Sequence, residues 1–193
     1  MKIAIYGGSF NPIHLGHINL AHSLIKQGLV DEVWLMVSPQ NPLKRNDSTS
    51  ESLDISEYTH RLKMAKLACK GIAGIWVSDF ESHLPVPSYT ITTLTELSAT
   101  YPQHQFCLVI GADNWERFGR WYKSEEIIEN YPLMVYRRPG CEIVVPEKLS
   151  ERVSVVETPL YDVSSTEIRN HQKTDMLTPS VLKYIRKNHL YGY

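Results

Sequence analysis

KIAIYGGSFNPIHLGH, residues 2–17, passes from a short apolar run through paired glycines to two histidines three positions apart. Ile3 to Tyr6 reads as a buried strand, and Gly7-Gly8 lets the backbone turn tightly and approach a ligand closely. From His17 the apolar positions Ile18, Ala21, Leu24 and Ile25 follow helical spacing, and Gly28 stands where that helix should stop. Strand, glycine turn and helix in this order open a βαβ unit.

Outward from this unit the alternation continues. Val33–Val37, Ile75–Val77, Phe106–Ile110, Leu133–Tyr136 and Val153–Val156 read as strands. Tyr58–Lys70, Ser88–Ser98, Ser124–Asn130, Ser164–His171 and Ser180–Asn188 carry helical patterns. Ser38 to Ser56 is rich in Pro, Asn, Ser and Asp, has no period, and is long for a loop, which marks it as functional or mobile. The strands are near-continuously apolar, so the pattern predicts an α/β fold: a Rossmann-like, doubly wound parallel sheet with helices on both faces. Neither an internal repeat nor a linker divides it, and a single domain over residues 1–193 is expected. Ligands of such sheets sit beyond the carboxyl ends of the strands. That rule gathers Gly7-Gly8, Pro39, Gly111 and the Ser164 region on one edge.

Composition narrows the setting. Apolar residues make up 42% and charged residues 21%, as in ordinary globular domains. A net charge of -1 provides no general attraction for nucleic acid, though a local basic pocket is compatible with it. Cys69, Cys107 and Cys141 are an odd set without metal-type spacing, and favour a reducing, cytoplasmic environment. The first apolar run is too short for a signal segment, and no window reaches membrane-spanning length. Neither a nucleic-acid nor a membrane partner is expected, and a homo-oligomer is left open.

The turn after the first strand has the chemistry of a phosphate site. His14 and His17 bracket Gly16 at the mouth of a helix, where free N–H groups and the dipole favour anions. Ser9 adds a hydroxyl and Pro12 stiffens the exit. Imidazoles there can donate to phosphate oxygens, more strongly when protonated. Two blander readings stand beside this one: incidental surface histidines on a turn, or a metal pair. Metal ranks low because no carboxylate or cysteine stands at ligand spacing nearby. The Gly-Lys-Ser/Thr of a Walker loop is missing, and the glycine spacing is not that of a dinucleotide fold. A second segment, Val163-Ser164-Ser165-Thr166-Glu167-Ile168-Arg169, has the Ser-x-x-Glu spacing of a capping box. It starts a helix, and with Arg169 inside it also suits a second anion cradle.

These two segments resemble the His-x-Gly-His and Ile-Ser-Ser-Thr-x-Ile-Arg motifs of the nucleotidyltransferase superfamily, with Val163 in place of isoleucine. Further segments make the chain similar to the bacterial nicotinate-mononucleotide adenylyltransferase family over nearly its whole length. They are Pro87-Ser88-Tyr89-Thr90, Leu94-Thr95-Glu96-Leu97, Gly111-Ala112-Asp113, Trp121 and Arg137-Arg138-Pro139-Gly140.

The resemblance implies transfer of the adenylyl group of ATP to nicotinate mononucleotide, giving nicotinic acid adenine dinucleotide and pyrophosphate. It implies His14, His17 and Arg169 as catalytic residues. ATP would be held by Gly8, Ser9, Phe10, His14, Gly16, His17, Gly111, Asp113, Ser164, Ser165 and Arg169. Lys44, Ser88, Tyr89, Thr90, Trp121 and Tyr122 would bind the acceptor, with Trp121 stacked on the pyridine ring. Mg²⁺ would accompany ATP, held mainly by its phosphates. Each assignment has a plain counterpart: Trp121 as core, Asp113 as a helix cap, Lys44 as a solvated loop charge. The basic residues Lys183, Arg186 and Lys187 read as a solvated helix face. Many relatives have Pro-Pro-His-Lys where this chain has Asn41-Pro42-Leu43-Lys44, followed by Arg45. Asn11 stands where many relatives have aspartate. Nicotinamide mononucleotide or phosphopantetheine as acceptor, and a non-catalytic nucleotide sensor, are the alternatives.

Overall fold

A computed structural model describes residues 1–39 and 55–193. Six strands form one parallel sheet: β1 (Lys2–Gly8), β2 (Glu32–Val37), β3 (Ile75–Ser78), β4 (Gln105–Gly111), β5 (Leu133–Tyr136) and β6 (Val153–Val156). Their spatial order is β3-β2-β1-β4-β5-β6, with Ile5 of β1 in register with Trp34 on one side and Leu108 on the other. The expected doubly wound sheet is therefore present. Its order reverses between β1 and β4, where such sheets open a crevice at their carboxyl ends.

Helices α1 (Leu15–Lys26), α2 (Ile55–Ala68), α3 (Thr90–Thr100), α4 (Ala112–Trp115), α5 (Ser124–Asn130), α6 (Ser165–Arg169) and α7 (Pro179–Lys187) cover the sheet. Side chains alternate across a strand, so each apolar run feeds two cores. Ala4, Tyr6, Leu35, Val109 and Met134 pack with Leu24 of α1, Met64 of α2, Ile168 of α6 and Ile185 of α7. Ile3, Ile5, Leu108, Ile110 and Val135 pack on the other face with Leu94 of α3 and Ile127 of α5. Burial on both faces is why these strands read as continuous apolar runs.

Several boundaries move. The helix expected over Ser88–Ser98 runs from Thr90 to Thr100, because its first helical bond is Thr93 N–H to the Tyr89 carbonyl. Its end is set by Pro102, which disfavours helical backbone at Tyr101. Ser88 is thus buried ahead of the helix and outside it. The single turn α4 starts directly after β4, with Gly111 as its cap and Asp113 inside its first turn. Gly28, at φ +68, terminates the α1 segment as expected. Cys69 and Cys107 are free and buried, and burial pushes their thiols up to about 12 and about 11. Among the described residues no helix is long and apolar enough to cross a membrane.

Candidate active site

His14 is the N-cap of α1, in extended backbone conformation, and its N–H donates to Nδ1 of His17 at 3.2 Å. A backbone N–H can only donate, so Nδ1 of neutral His17 is the bare nitrogen and Nε2 carries the proton. The two rings stack at 3.7 Å between centroids, and His17 also meets Phe10 edge-to-face at 5.0 Å and a tilted Tyr6 at 6.0 Å. His14 is 2% exposed, yet its Nδ1 has no hydrogen-bond partner among the described residues. Burial and the Arg138 guanidinium push His14 down to about 4. Burial, the neighbouring His14 and Arg138 likewise hold His17 well below the usual histidine range. Both imidazoles are therefore neutral near pH 7 in the free protein, and an anion placed against them would favour their protonated forms.

Gly16 explains its own place in the motif. A Cβ there would meet Val163 Cγ1 at 2.8 Å and His14 Nδ1 at 3.0 Å, so the start of α1 lies directly against the Ser164 segment. Side-chain bonds stitch the same two segments together. Ser165 Oγ donates to the Pro12 carbonyl at 2.9 Å, and Arg169 Nη1 to the Asn11 carbonyl at 2.6 Å. Ser164 caps α6: its Oγ accepts from Glu167 N–H, while its own N–H donates to the Glu167 carboxylate. The capping-box reading is correct, and the cap also stands in the wall of the cleft. Ser165 spends its hydroxyl proton on Pro12, so it acts as a stitch between the motifs.

Across the cavity stand residues from β5 and its exit. Tyr6, His14, Gly16, His17, Tyr136, Arg138 and Val163 share one lining, and an open cleft of about 240 Å³ continues past Asp113, Arg138, Val163 and Ser164. Arg138 belongs to both, with its Nε 3.6 Å from Asp113 Oδ1. At Gly111 a Cβ would lie 2.5 Å from Asp113 Oδ1, so glycine is what lets that carboxylate fold back over the strand end. Tyr6 and Tyr136 pair through their hydroxyls at 3.1 Å beneath the cavity. Burial raises the pKa of both phenols.

Not every expected residue joins this group. Phe10 is 2% exposed and packs edge-on against Tyr6 and His17, so its ring shapes the histidines from inside the core. Gly8 leaves room for that ring, which a Cβ would meet at 3.0 Å. Ser9 is held through its carbonyl. Tyr89 and Tyr122 meet at 4.5 Å, and Trp121 packs on Phe118 at 5.2 Å, on the α3–α5 side of the sheet. Thr90 opens α3 just after Tyr89. Lys44, Arg45 and most of the Ser38–Ser56 stretch lie outside the described residues.

Two arginines have no site role in the sequence. Arg138 had a signal, since it follows β5 just as the other motif residues follow their strands. Arg61 had none. It is 1% exposed within α2, and its guanidinium donates to the carbonyls of Ser9 at 2.7 Å, Ser38 at 2.9 Å and Pro39 at 3.2 Å. It thereby ties the turns after β1 and β2 together. Among the described residues, no three His, Cys, Asp or Glu side chains converge as a metal cage.

A family model described as cytidylyltransferase-like matches residues 5–171. A Bacteroides thetaiotaomicron protein named "Probable nicotinate-nucleotide adenylyltransferase" is 44% identical over 192 residues, covering 97% of this chain and 92% of its own length. A Flavobacterium johnsoniae protein of the same name is 39% identical over 197 residues, covering 99% of each. The fold is also that of Plasmodium falciparum nicotinic acid mononucleotide adenylyltransferase complexed with NaAD. That match has a TM-score of 0.77 and 22% identity, over 98% of this chain and 97% of the other.

Proposed function

The chain belongs to the cytidylyltransferase-like family, among its nicotinate-nucleotide adenylyltransferases, and we propose that it joins ATP to nicotinate mononucleotide in NAD biosynthesis. A phosphate oxygen of the mononucleotide attacks the α-phosphorus of ATP. The new O–P bond forms as the bond to the β-phosphate oxygen breaks, and pyrophosphate leaves. The attacking phosphate is already ionised at neutral pH, so no side-chain base is needed. The difficulty is bringing two anions together, which makes positioning and charge stabilisation the main work.

The observation that carries this reading is the stacked His14–His17 pair at the start of α1, facing Arg138 across one cavity. The Nε2–H of His17 and the imidazole of His14 stacked on it are groups suited to α-phosphate oxygens. A neutral pair does not repel Arg138 in the free protein, and it gains protons as negative charge builds. Arg169 would offset charge on the departing pyrophosphate, with Gly111 and Asp113 at the nucleoside, while Ser164, whose N–H and hydroxyl both donate to Glu167, would hold the wall of the cleft. Tyr89, Trp121 and Tyr122 supply an aromatic platform for the pyridine ring. Asp113 is engaged with Arg138, and no carboxylate cage is formed among the described residues, so Mg²⁺ would arrive on the triphosphate and no protein ligand is assigned to it. We place the reaction in the cytoplasm, in a single domain, which the free buried thiols of Cys69 and Cys107 support.

Pyrophosphate release from MgATP tests the reading, with nicotinate mononucleotide, nicotinamide mononucleotide and phosphopantetheine offered in turn. The nicotinate compound should give the highest kcat/KM. His17→Ala should lower kcat by roughly a hundredfold, the scale for losing one preorganised donor. Turnover near that of the wild type in a folded His17→Ala protein would remove His17 from the chemistry.

A further inference from the structure

The turn from Ser9 to Pro12 is gripped by three other segments, and Asn11 is the hub. Its Nδ2 donates to Glu57 Oε1 at 2.9 Å, its Oδ1 accepts from the Tyr191 hydroxyl, and its main-chain carbonyl accepts from Arg169. The three partners come from α2, from the segment after α7, and from α6. An ionised carboxylate only accepts, and here the hydroxyl donates, so the amide can sit in one orientation only. Burial raises the pKa of the Tyr191 hydroxyl, which keeps its proton in place. Arg61, four residues beyond Glu57 on α2, lies 3.8 Å from the same carboxylate and holds the Ser9 carbonyl. Tyr193 extends the grip, donating to the Ile168 carbonyl in α6.

Arg169 uses Nη1 on Asn11 and Nη2 on Thr166. A guanidinium has five N–H donors, so these two bonds orient its plane and leave others for a ligand. We propose that Glu57, Asn11 and Tyr191 form a positioning relay that sets the Asn11 carbonyl, and through it the Arg169 guanidinium, against the phosphate site. Asn11 is the point where polarity reverses: it must donate towards Glu57 and accept from Tyr191. A carboxylate at this position meets a second carboxylate, which explains why this chain carries the amide. The relay rests on the adenylyl-transfer reading, because it acts on that reaction's phosphate groups without touching them.

The test compares full-length wild type with Asn11→Asp, Tyr191→Phe, Glu57→Gln and the double variant Asn11→Asp/Glu57→Gln in the pyrophosphate assay, alongside thermal unfolding. Asn11→Asp should lower kcat by about tenfold or more through misplacement of the turn. Its KM for the mononucleotide should stay within about twofold, since the acceptor platform is separate. In the double variant the new glutamine amide can donate to the new carboxylate, and kcat should return to within about threefold of wild type. Tyr191→Phe removes one oxygen and should lower kcat by about threefold at unchanged KM; it carries the test if Asn11→Asp fails to fold. Wild-type kcat in Asn11→Asp or Tyr191→Phe, or no recovery in a folded double variant, overturns the relay. A wild-type protein inactive with every acceptor overturns adenylyl transfer, and the relay with it.

Discussion

Gly16→Ala is the perturbation that most directly tests how the two motif segments form one site. The added methyl would sit 2.8 Å from Val163 Cγ1 and 3.0 Å from His14 Nδ1. Val163 is buried and β-branched, so it cannot swing aside cheaply, and its neighbours in the Ser164 segment are stitched to Pro12 and Asn11. Overpacking of this kind costs about 1–3 kcal/mol. Alanine in place of glycine in a helix returns up to about 1 kcal/mol. A net loss of about 3 kcal/mol or less lowers Tm by at most about 12 °C in a protein of this size. Activity should fall much further, because a catalytic group must stay within about 0.5 Å of its productive position. Displacing His14 should cost roughly a hundredfold in kcat, as for the loss of one preorganised donor. The assay pairs thermal unfolding with pyrophosphate release, repeated in a Val163→Ala background. There the valine clash is gone, so Gly16→Ala should destabilise less than in wild type while kcat stays low, since the contact with His14 persists. A kcat within about threefold of wild type would refute this account of Gly16. So would a loss of activity that only tracks the unfolded fraction.

Two further outcomes follow from the same geometry. His14 has a pKa of about 4 in the folded protein against 6.5 for an unperturbed histidine, so between these values the unfolded chain binds more protons. Stability should therefore fall as pH drops through this window, and His14→Gln should make that slope shallower in denaturant titrations; an unchanged slope would contradict the assignment. Trp121→Ala should weaken binding of the mononucleotide and leave that of ATP nearly intact, measured by calorimetry. Trp121 stands with the aromatic group on the α3–α5 face, apart from the histidine cavity, and equal loss of both affinities would reject the platform.

The legible parts of this molecule are those set by local spacing. Ile3–Tyr6 and Phe106–Ile110 read as strands because both faces of the sheet are buried, which leaves continuous apolar runs. Ser164 and Glu167 announce a helix start because a capping box closes within one turn. Arg61 was invisible for the opposite reason. On α2 it reads as one more surface charge, and only the fold brings the carbonyls of Ser9 and Pro39 to it. Arg138 sat in plain view at the end of β5, but its place between the two cavities depends on a strand neighbour 25 residues away. Phe10 was named through the resemblance alone, and only the fold shows that its ring packs edge-on against Tyr6 and His17 in the core.

The sequence alone determined the doubly wound sheet, the strand-end edge on which the two motif segments gather, and the residue types proposed to meet phosphate there, because strand periodicity, glycine turns and helix starts are written within a few residues. Tertiary structure decided what those residues are. It buries the histidines beside Arg138 and so makes them neutral, it makes Gly16 a packing contact with Val163, and it gives Asn11 three partners from distant segments. Burial, long-range charge and steric contact act between groups that the chain separates by up to 180 residues, and no local pattern carries them.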